Sequence, residues 1–385
     1  MGVNRFVSPS PSSPPARGGE TVWVIRKNLD GEDQRIDRGS GVRKHSFRFL
    51  AALFFILVVG LSWTGSLSSY TQLVIMFVGV NIIMSASLNL VNGYMGEFSC
   101  GHAGFMAIGA YTSSLLTVWF FTQGSIFGPN LFPPEWSVWL FPFILLIGGI
   151  VAALTGLMVA IPSFRTRGDY LAIITLAANY IVKSAIENIQ TIGGARGFMG
   201  MSRVVNEMKN VADVPWMMIW TWISVFITLL LIKRFVSSTY GKGIMAIRED
   251  EIAAEIMGVN TRRAKMVAFM LSSGMAGVAG GLIAHILGYI NPGSFTIMKS
   301  TEALVMVYLG GMGSLSGSVL SAVFFTLMLE VLRPLQVFKW VVVPLILFLL
   351  MMFRTEGLLG QRELTDVFPR LKRIFGAKEE TRAAL

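Results

Sequence analysis

The side chains able to do chemistry in this chain are few and gathered in short stretches. Residues 92–105 place a carboxylate (Glu97), a hydroxyl (Ser99) and an imidazole (His102) among glycines at 93, 96, 101 and 104, with long apolar runs on either side. An ionisable group between such runs is a candidate for touching a solute that crosses the interior; the bland alternative is a hydrogen-bonded structural position at an interface. Neither role is catalytic. No nucleophile–base set and no metal-ligand cluster accompanies these residues, so no catalytic residue and no metal site is assigned. The single cysteine, Cys100, excludes an internal disulfide and a multi-cysteine metal site. Gly193-Gly194-Ala195-Arg196-Gly197 has neither the Lys-Ser/Thr of a phosphate loop nor a strand before it, so no nucleotide is expected there. Lys183 and Glu187, one helical turn apart, suit a structural ion pair. His285 and Glu302 suit satisfied polar positions inside a helix bundle.

A second cluster is charged throughout. Residues 240–265 form an island between the apolar runs 215–235 and 266–290 and carry five Lys/Arg. Within it Ile252, Ala253, Ile256 and Val259 recur at three- and four-residue steps, which predicts a short amphipathic helix with one apolar stripe. Gly258 is placed to stop that helix in a left-handed conformation, and Thr261 to cap the next one. A short amphipathic helix beside a membrane wants a partner groove.

The elements that must hold both clusters are apolar helices. The chain has 385 residues, of which 53% are apolar and only 14% charged, with a mean hydropathy of +0.62. That composition, with runs of roughly 17–25 apolar residues, predicts an all-α integral membrane protein. About ten segments are expected, near 49–64, 70–91, 99–121, 137–161, 169–189, 215–235, 266–289, 301–312, 316–332 and 339–353. The 40 glycines suit close helix packing in lipid.

The net charge of +10 fits the positive-inside rule better than nucleic-acid binding. Nine Lys/Arg precede the first segment, Arg165 and Arg167 follow the fourth, and the tail from Arg354 is basic. These face the cytoplasm together with 240–265 if both termini are cytoplasmic. The loop 122–136 opposite has no basic residue, whereas Arg196, Arg203 and Lys209 in 190–214 are exceptions. Residues 1–45, rich in Ser, Pro, Gly and Arg, form an expected disordered cytoplasmic tail and show no secretory-signal pattern. Residues 46–365 form the membrane domain, with the charged loop at 237–265, and 366–385 a polar cytoplasmic tail.

Two glycine-dense stretches, 92–105 and 310–317, interrupt the apolar pattern in opposite halves of the chain. Broken segments in both halves predict two repeat-related halves with a transport pathway at their interface, where unwound backbone lines a cavity. The residues assigned to that pathway are Gly96, Glu97, Ser99, His102, Gly104, Gly194, Gly311 and Gly313. Close packing is the competing role for Gly313-x3-Gly317, and the preferred one for Gly277-x3-Gly281.

Arg248-Glu249-Asp250-Glu251-Ile252-Ala253-Ala254-Glu255-Ile256, followed by Gly258, resembles the Glu-Ala-Ala-x3-Gly loop of permeases in bacterial ATP-binding-cassette importers. Ile252 stands where that motif has glutamate. Residues 88–105, 193–200 and 353–360 resemble the branched-chain amino acid permease group, in its LivM-type rather than LivH-type form. Cys100 and Glu97 stand where that group usually has Leu and Gln. The similarity spans about 45 to 365.

The resemblance implies a bacterial inner-membrane permease whose 245–260 helix docks on a separate ATPase of LivG/LivF type. It implies no cofactor of the chain's own, because the ATPase binds the ATP. It also implies a LivH-type paralogue as second permease, a soluble substrate-binding protein outside, surrounding membrane lipid, and import of leucine, isoleucine and valine. Urea, short amides or other amino acids are the alternative cargo. An ion-coupled secondary transporter is the rival class, and an integral membrane enzyme is a weaker one for want of a convergent acid–base or metal site.

Overall fold

The computed structural model describes residues 67–122, 130–164, 170–211, 214–338 and 357–360, with isolated positions elsewhere. These belong to one unit, Leu53–Phe368. The expected tails 1–45 and 366–385, and nearly all of the expected segments 49–64 and 339–353, lie outside the described residues.

Helix α1 (Ser69–Asn89) runs into a π turn at Leu90–Tyr94, and α2 spans His102–Phe121. Helices α3 (Ser137–Ser163) and α4 (Tyr170–Asn188) follow. The two-residue strand β1 (Phe198–Met199) leads into the short helix α5 (Met201–Val211). Next come α6 (Trp216–Ser237), α7 (Thr239–Glu249), α8 (Glu251–Ile256) and α9 (Thr261–Leu287). Strand β2 (Tyr289–Ile290) pairs antiparallel with β1, Phe198 opposite Ile290. Helices α10 (Ile297–Gly310) and α11 (Leu315–Val331) are the last long helices among the described residues.

Among the described residues six helical stretches are long and apolar enough to cross a membrane: Ser69–Tyr94, His102–Phe121, Pro134–Ser163, Tyr170–Asn188, Trp216–Ser237 and Thr261–Leu287. They match the expected segments from 70–91 to 266–289 within a few residues. The expected segments 301–312 and 316–332 are helices of 14 and 17 residues. At 1.5 Å per residue they are about 21 and 26 Å long, short of the roughly 30 Å hydrocarbon thickness. They fold back on each other at Gly311–Ser314, and the count of about ten spans is not reached among the described residues.

The core is centred on α9, which packs on α2 and α3 through glycines. A Cβ on Gly280 would lie 1.9 Å from the Met106 carbonyl oxygen, and one on Gly277 would lie 2.4 Å from Ala152 Cβ. So the Gly277-x3-Gly281 pattern serves contact, as expected. Phe105 and Phe269 fill the same layer edge to face, with centroids 5.5 Å apart. The outer face of α3 is the opposite case: Trp139, Phe143, Leu146, Ile150, Leu154 and Met158 are all exposed. That spacing draws one apolar stripe down the helix, a surface that suits hydrocarbon rather than water.

Candidate functional site

The charged island folds as two short helices and the start of a third. Asp250 has extended backbone (φ −157°) and separates α7 from α8. Its Oδ1 accepts hydrogen bonds from the Ile252 and Ala253 amides at 2.9 and 3.0 Å. This caps the open N-terminus of α8, where Glu251 also complements the helix dipole. At the other end Gly258 has φ +85°, the left-handed stop expected of it. Thr261 does not cap α9. Asn260, one residue earlier, accepts from the Arg263 amide at 2.9 Å, and Thr261 becomes the first helical residue. Its hydroxyl instead donates to Glu255 Oε1 at 2.9 Å.

The apolar residues of α8 divide sharply. Ile252, Ile256 and the following Met257 are 70, 79 and 83% exposed, whereas Ala254 is 4% exposed and faces the bundle. Val259, expected on the outward stripe, is half-buried, and Met257 takes its place outside. The charges divide as well. Glu249 projects outward, while Arg248 turns inward and its Nη1 donates to the Gly93 carbonyl at 2.9 Å. Glu251 pairs with Lys265 at 2.8 Å. Lys265 also meets Glu97 at 2.6 Å.

The two glycine-dense stretches meet at one junction. Gly313 N–H donates to Asn89 Oδ1 at 3.0 Å, and Asn89 Nδ2 donates to the Ser314 carbonyl and to Ser318 Oγ at 2.9 and 2.7 Å. The π turn beside Asn89 exposes backbone that an α-helix would consume, a local irregularity common at functional positions. Gly313, with φ +83°, faces Gly93 and Arg248 rather than sharing a helix face with Gly317. Gly317 packs on Gly310 instead, 2.3 Å separating its would-be Cβ from the Gly310 carbonyl oxygen.

The pathway residues expected from sequence thus fall into separate places. Gly96, Glu97 and Gly313 belong to the junction. Ser99, His102 and Gly104 lie with a buried polar group formed by Ser87, Asn92, Asn179 and Ser300. There Ser87 Oγ and His102 Nε2 are 2.7 Å apart, Ser272 Oγ donates to the Ser87 carbonyl at 2.6 Å, and Ala103 N–H donates to Ser300 Oγ at 2.9 Å. Asn92 Nδ2, Ser99 Oγ and Asn179 Oδ1 are buried with no hydrogen-bond partner among the described residues. Gly104 faces Asn179 Oδ1, Gly311 packs on Gly360, and Gly194 sits apart beside the Glu187 carbonyl. A cavity of about 150 Å³ at the β1–β2 end is lined by Met106, Ile283, Leu287, Phe295 and Lys299 but by none of the expected residues.

Sequence reasoning missed Asn89, Lys265 and the inward role of Arg248. Asn89 was detectable as an amide inside an apolar run. Lys265 read as one more loop charge, because its partners are distant in sequence. The structural assignments fared better: Lys183–Glu187 is an ion pair at 3.5 Å, Glu302 pairs with Lys299 at 2.7 Å, and His285 Nε2 meets Thr117 Oγ1 at 2.8 Å. No group of His, Cys, Asp and Glu that could hold a metal occurs among the described residues.

Six helical stretches long and apolar enough to cross a membrane, with a polar junction and a short amphipathic helix pair among the described residues, define a multi-span membrane protein. The chain matches the family described as "Branched-chain amino acid transport system / permease component" over residues 70–353, and it belongs to that family. It is 31% identical to the high-affinity branched-chain amino acid transport permease LivM of Escherichia coli K12, over 90% of this chain and 80% of that one. It is also 31% identical to LivM of Salmonella typhimurium, over 83 and 76%. Identity to LivH of E. coli K12 is 25%, over 76% of this chain and 96% of that one. No solved structure matches the chain.

Proposed function

We propose that this chain is the LivM-type permease subunit of a bacterial ATP-binding-cassette importer that moves leucine, isoleucine and valine into the cytoplasm. The observation that carries the reading is α8, whose Ile252, Ile256 and Met257 project from a helix fixed at both ends by Asp250 and Gly258. Three large apolar side chains held in solvent by a capped helix form a compact anchor for a groove. The groove belongs to an ATPase subunit of LivG/LivF type. A LivH-type permease completes the membrane unit, and a soluble binding protein delivers substrate to the opposite face. The loop helices and both termini are cytoplasmic, in the inner membrane, with the stripe from Trp139 to Met158 against lipid.

ATP binding closes the ATPase dimer and moves α8, which shifts the bundle between outward- and inward-facing states. Substrate passes close to Ser99, His102 and Gly104. The unpartnered polar atoms of Asn92, Ser99 and Asn179 support this, since buried polar groups without partners are costly unless something meets them. The test is Ile256→Asp in the complete importer, binding protein included, reconstituted in vesicles. Substrate-stimulated ATP hydrolysis is expected to vanish while membrane insertion persists, and unchanged stimulation would overturn the docking role. Uptake of urea in preference to leucine would overturn the cargo.

A further inference from the structure

We propose that Lys265 and Arg248 are positioning residues that clamp the ATPase-facing helices to the glycine-broken junction, so that movement of α8 cannot occur without moving the pathway backbone. This rests on the reading of α8 as the docking helix.

Lys265 is the first part of the clamp. Its Nζ lies 2.6 Å from Glu97 Oε1 and 2.8 Å from Glu251 Oε1. The three residues come from separate elements: Glu97 from the non-helical connection between α1 and α2, Glu251 from the first turn of α8, and Lys265 from the start of α9. The lysine side chain is 8% exposed and that of Glu97 22%. An exposed ion pair is worth little, but breaking a buried one leaves a charge without its partner.

Arg248 is the second part. It is the penultimate residue of α7, two before the Asp250 break, and reaches into a space that Gly96 and Gly313 leave open. A Cβ on Gly96 would lie 2.6 Å from its Cγ, and one on Gly313 would lie 3.0 Å from its Nη1, while Nη1 donates to the Gly93 carbonyl. One guanidinium therefore touches both broken stretches at once. The two contacts flank Asp250, one from each loop helix. The α7–α8 pair is tied at two points to the broken stretches, through Gly93 in the π turn and Glu97 in the non-helical connection after it. A contiguous polar network is one route by which two elements able to shift can be coupled, and the coupling itself is what the experiment below measures.

The experiment measures uptake and ATP hydrolysis in one vesicle preparation of the complete importer and compares their ratio. Lys265→Met and the double variant E97Q/E251Q are expected to lower transport per ATP roughly fivefold or more, the size of an ordinary coupling free energy, while hydrolysis continues. Lys265→Arg, which keeps a cation for both carboxylates, is expected to restore the ratio. If Lys265→Met fails to assemble, E97Q/E251Q carries the test alone, because it removes charge without removing bulk. An unchanged ratio, or a proportional fall in both rates, overturns the clamp. The docking reading fails separately: it falls if Ile256→Asp leaves stimulated hydrolysis intact, whatever the clamp variants do.

Discussion

Gly93 and Gly313, from opposite halves of the chain, approach so closely that a Cβ on Gly93 would sit 2.4 Å from the Gly313 nitrogen and 1.8 Å from Asn89 Oδ1. Neither neighbour is the free end of a flexible side chain. Asn89 is held by three hydrogen bonds and Gly313 is backbone. Gly93→Ala is therefore expected to destabilise the protein by overpacking, on the order of 1–3 kcal/mol, and to abolish uptake. Thermal unfolding in detergent and leucine uptake by reconstituted vesicles check this. Gly243→Ala, whose Cβ would meet only Val259 Cγ1 at 3.5 Å inside helix α7, should not lower the unfolding temperature and, as a Gly-to-Ala change in a helix, should if anything raise it.

Asn89 tests the same junction from its side chain. Replacement by Ala removes the acceptor for the Gly313 amide and both donor contacts to the start of α11. A buried donor left without its acceptor costs about 1–3 kcal/mol. The variant should unfold at a lower temperature, with the largest rise in amide exchange at 311–318. Exchange that rises equally along the whole chain would count against a local role.

The membrane helices and the loop helix were legible in the sequence because each rests on a local pattern. Six segments could be placed within a few residues from apolar length alone, and Gly258 stopped α8 as its position suggested. What escaped depends on partners far apart in the chain. Nothing local distinguishes Lys265, which ends up buried between two carboxylates, from Arg262 or Arg263, which stay exposed. The Gly313-x3-Gly317 spacing suggested a helix face, but the helix begins only at Leu315, so the two glycines serve different neighbours. Thr261 lost the capping position because Asn260 reaches the same amide first.

Lys183 and Glu187 offer a contrast with the clamp. Their ion pair, at 3.5 Å on the partly exposed face of α4, spans one helical turn, and such pairs contribute about 0.3–0.5 kcal/mol. Lys183→Ala should change neither the unfolding temperature measurably nor the transport rate. A loss of uptake in that variant would point to a role for α4 that its contacts do not indicate.

Gly258 isolates a purely conformational effect. A Cβ there meets nothing within 4 Å, yet the backbone has φ +85°. The left-handed conformation costs an ordinary residue about 1–2 kcal/mol, so Gly258→Ala should loosen the end of α8 without any clash. Asn tolerates this conformation better than Ala, and a β-branched residue tolerates it worse. Substrate-stimulated ATP hydrolysis should therefore fall in the order Gly, Asn, Ala, Val at position 258, with membrane insertion constant across the series. A helix end that mattered only sterically would instead follow side-chain size, with Ala ahead of Asn.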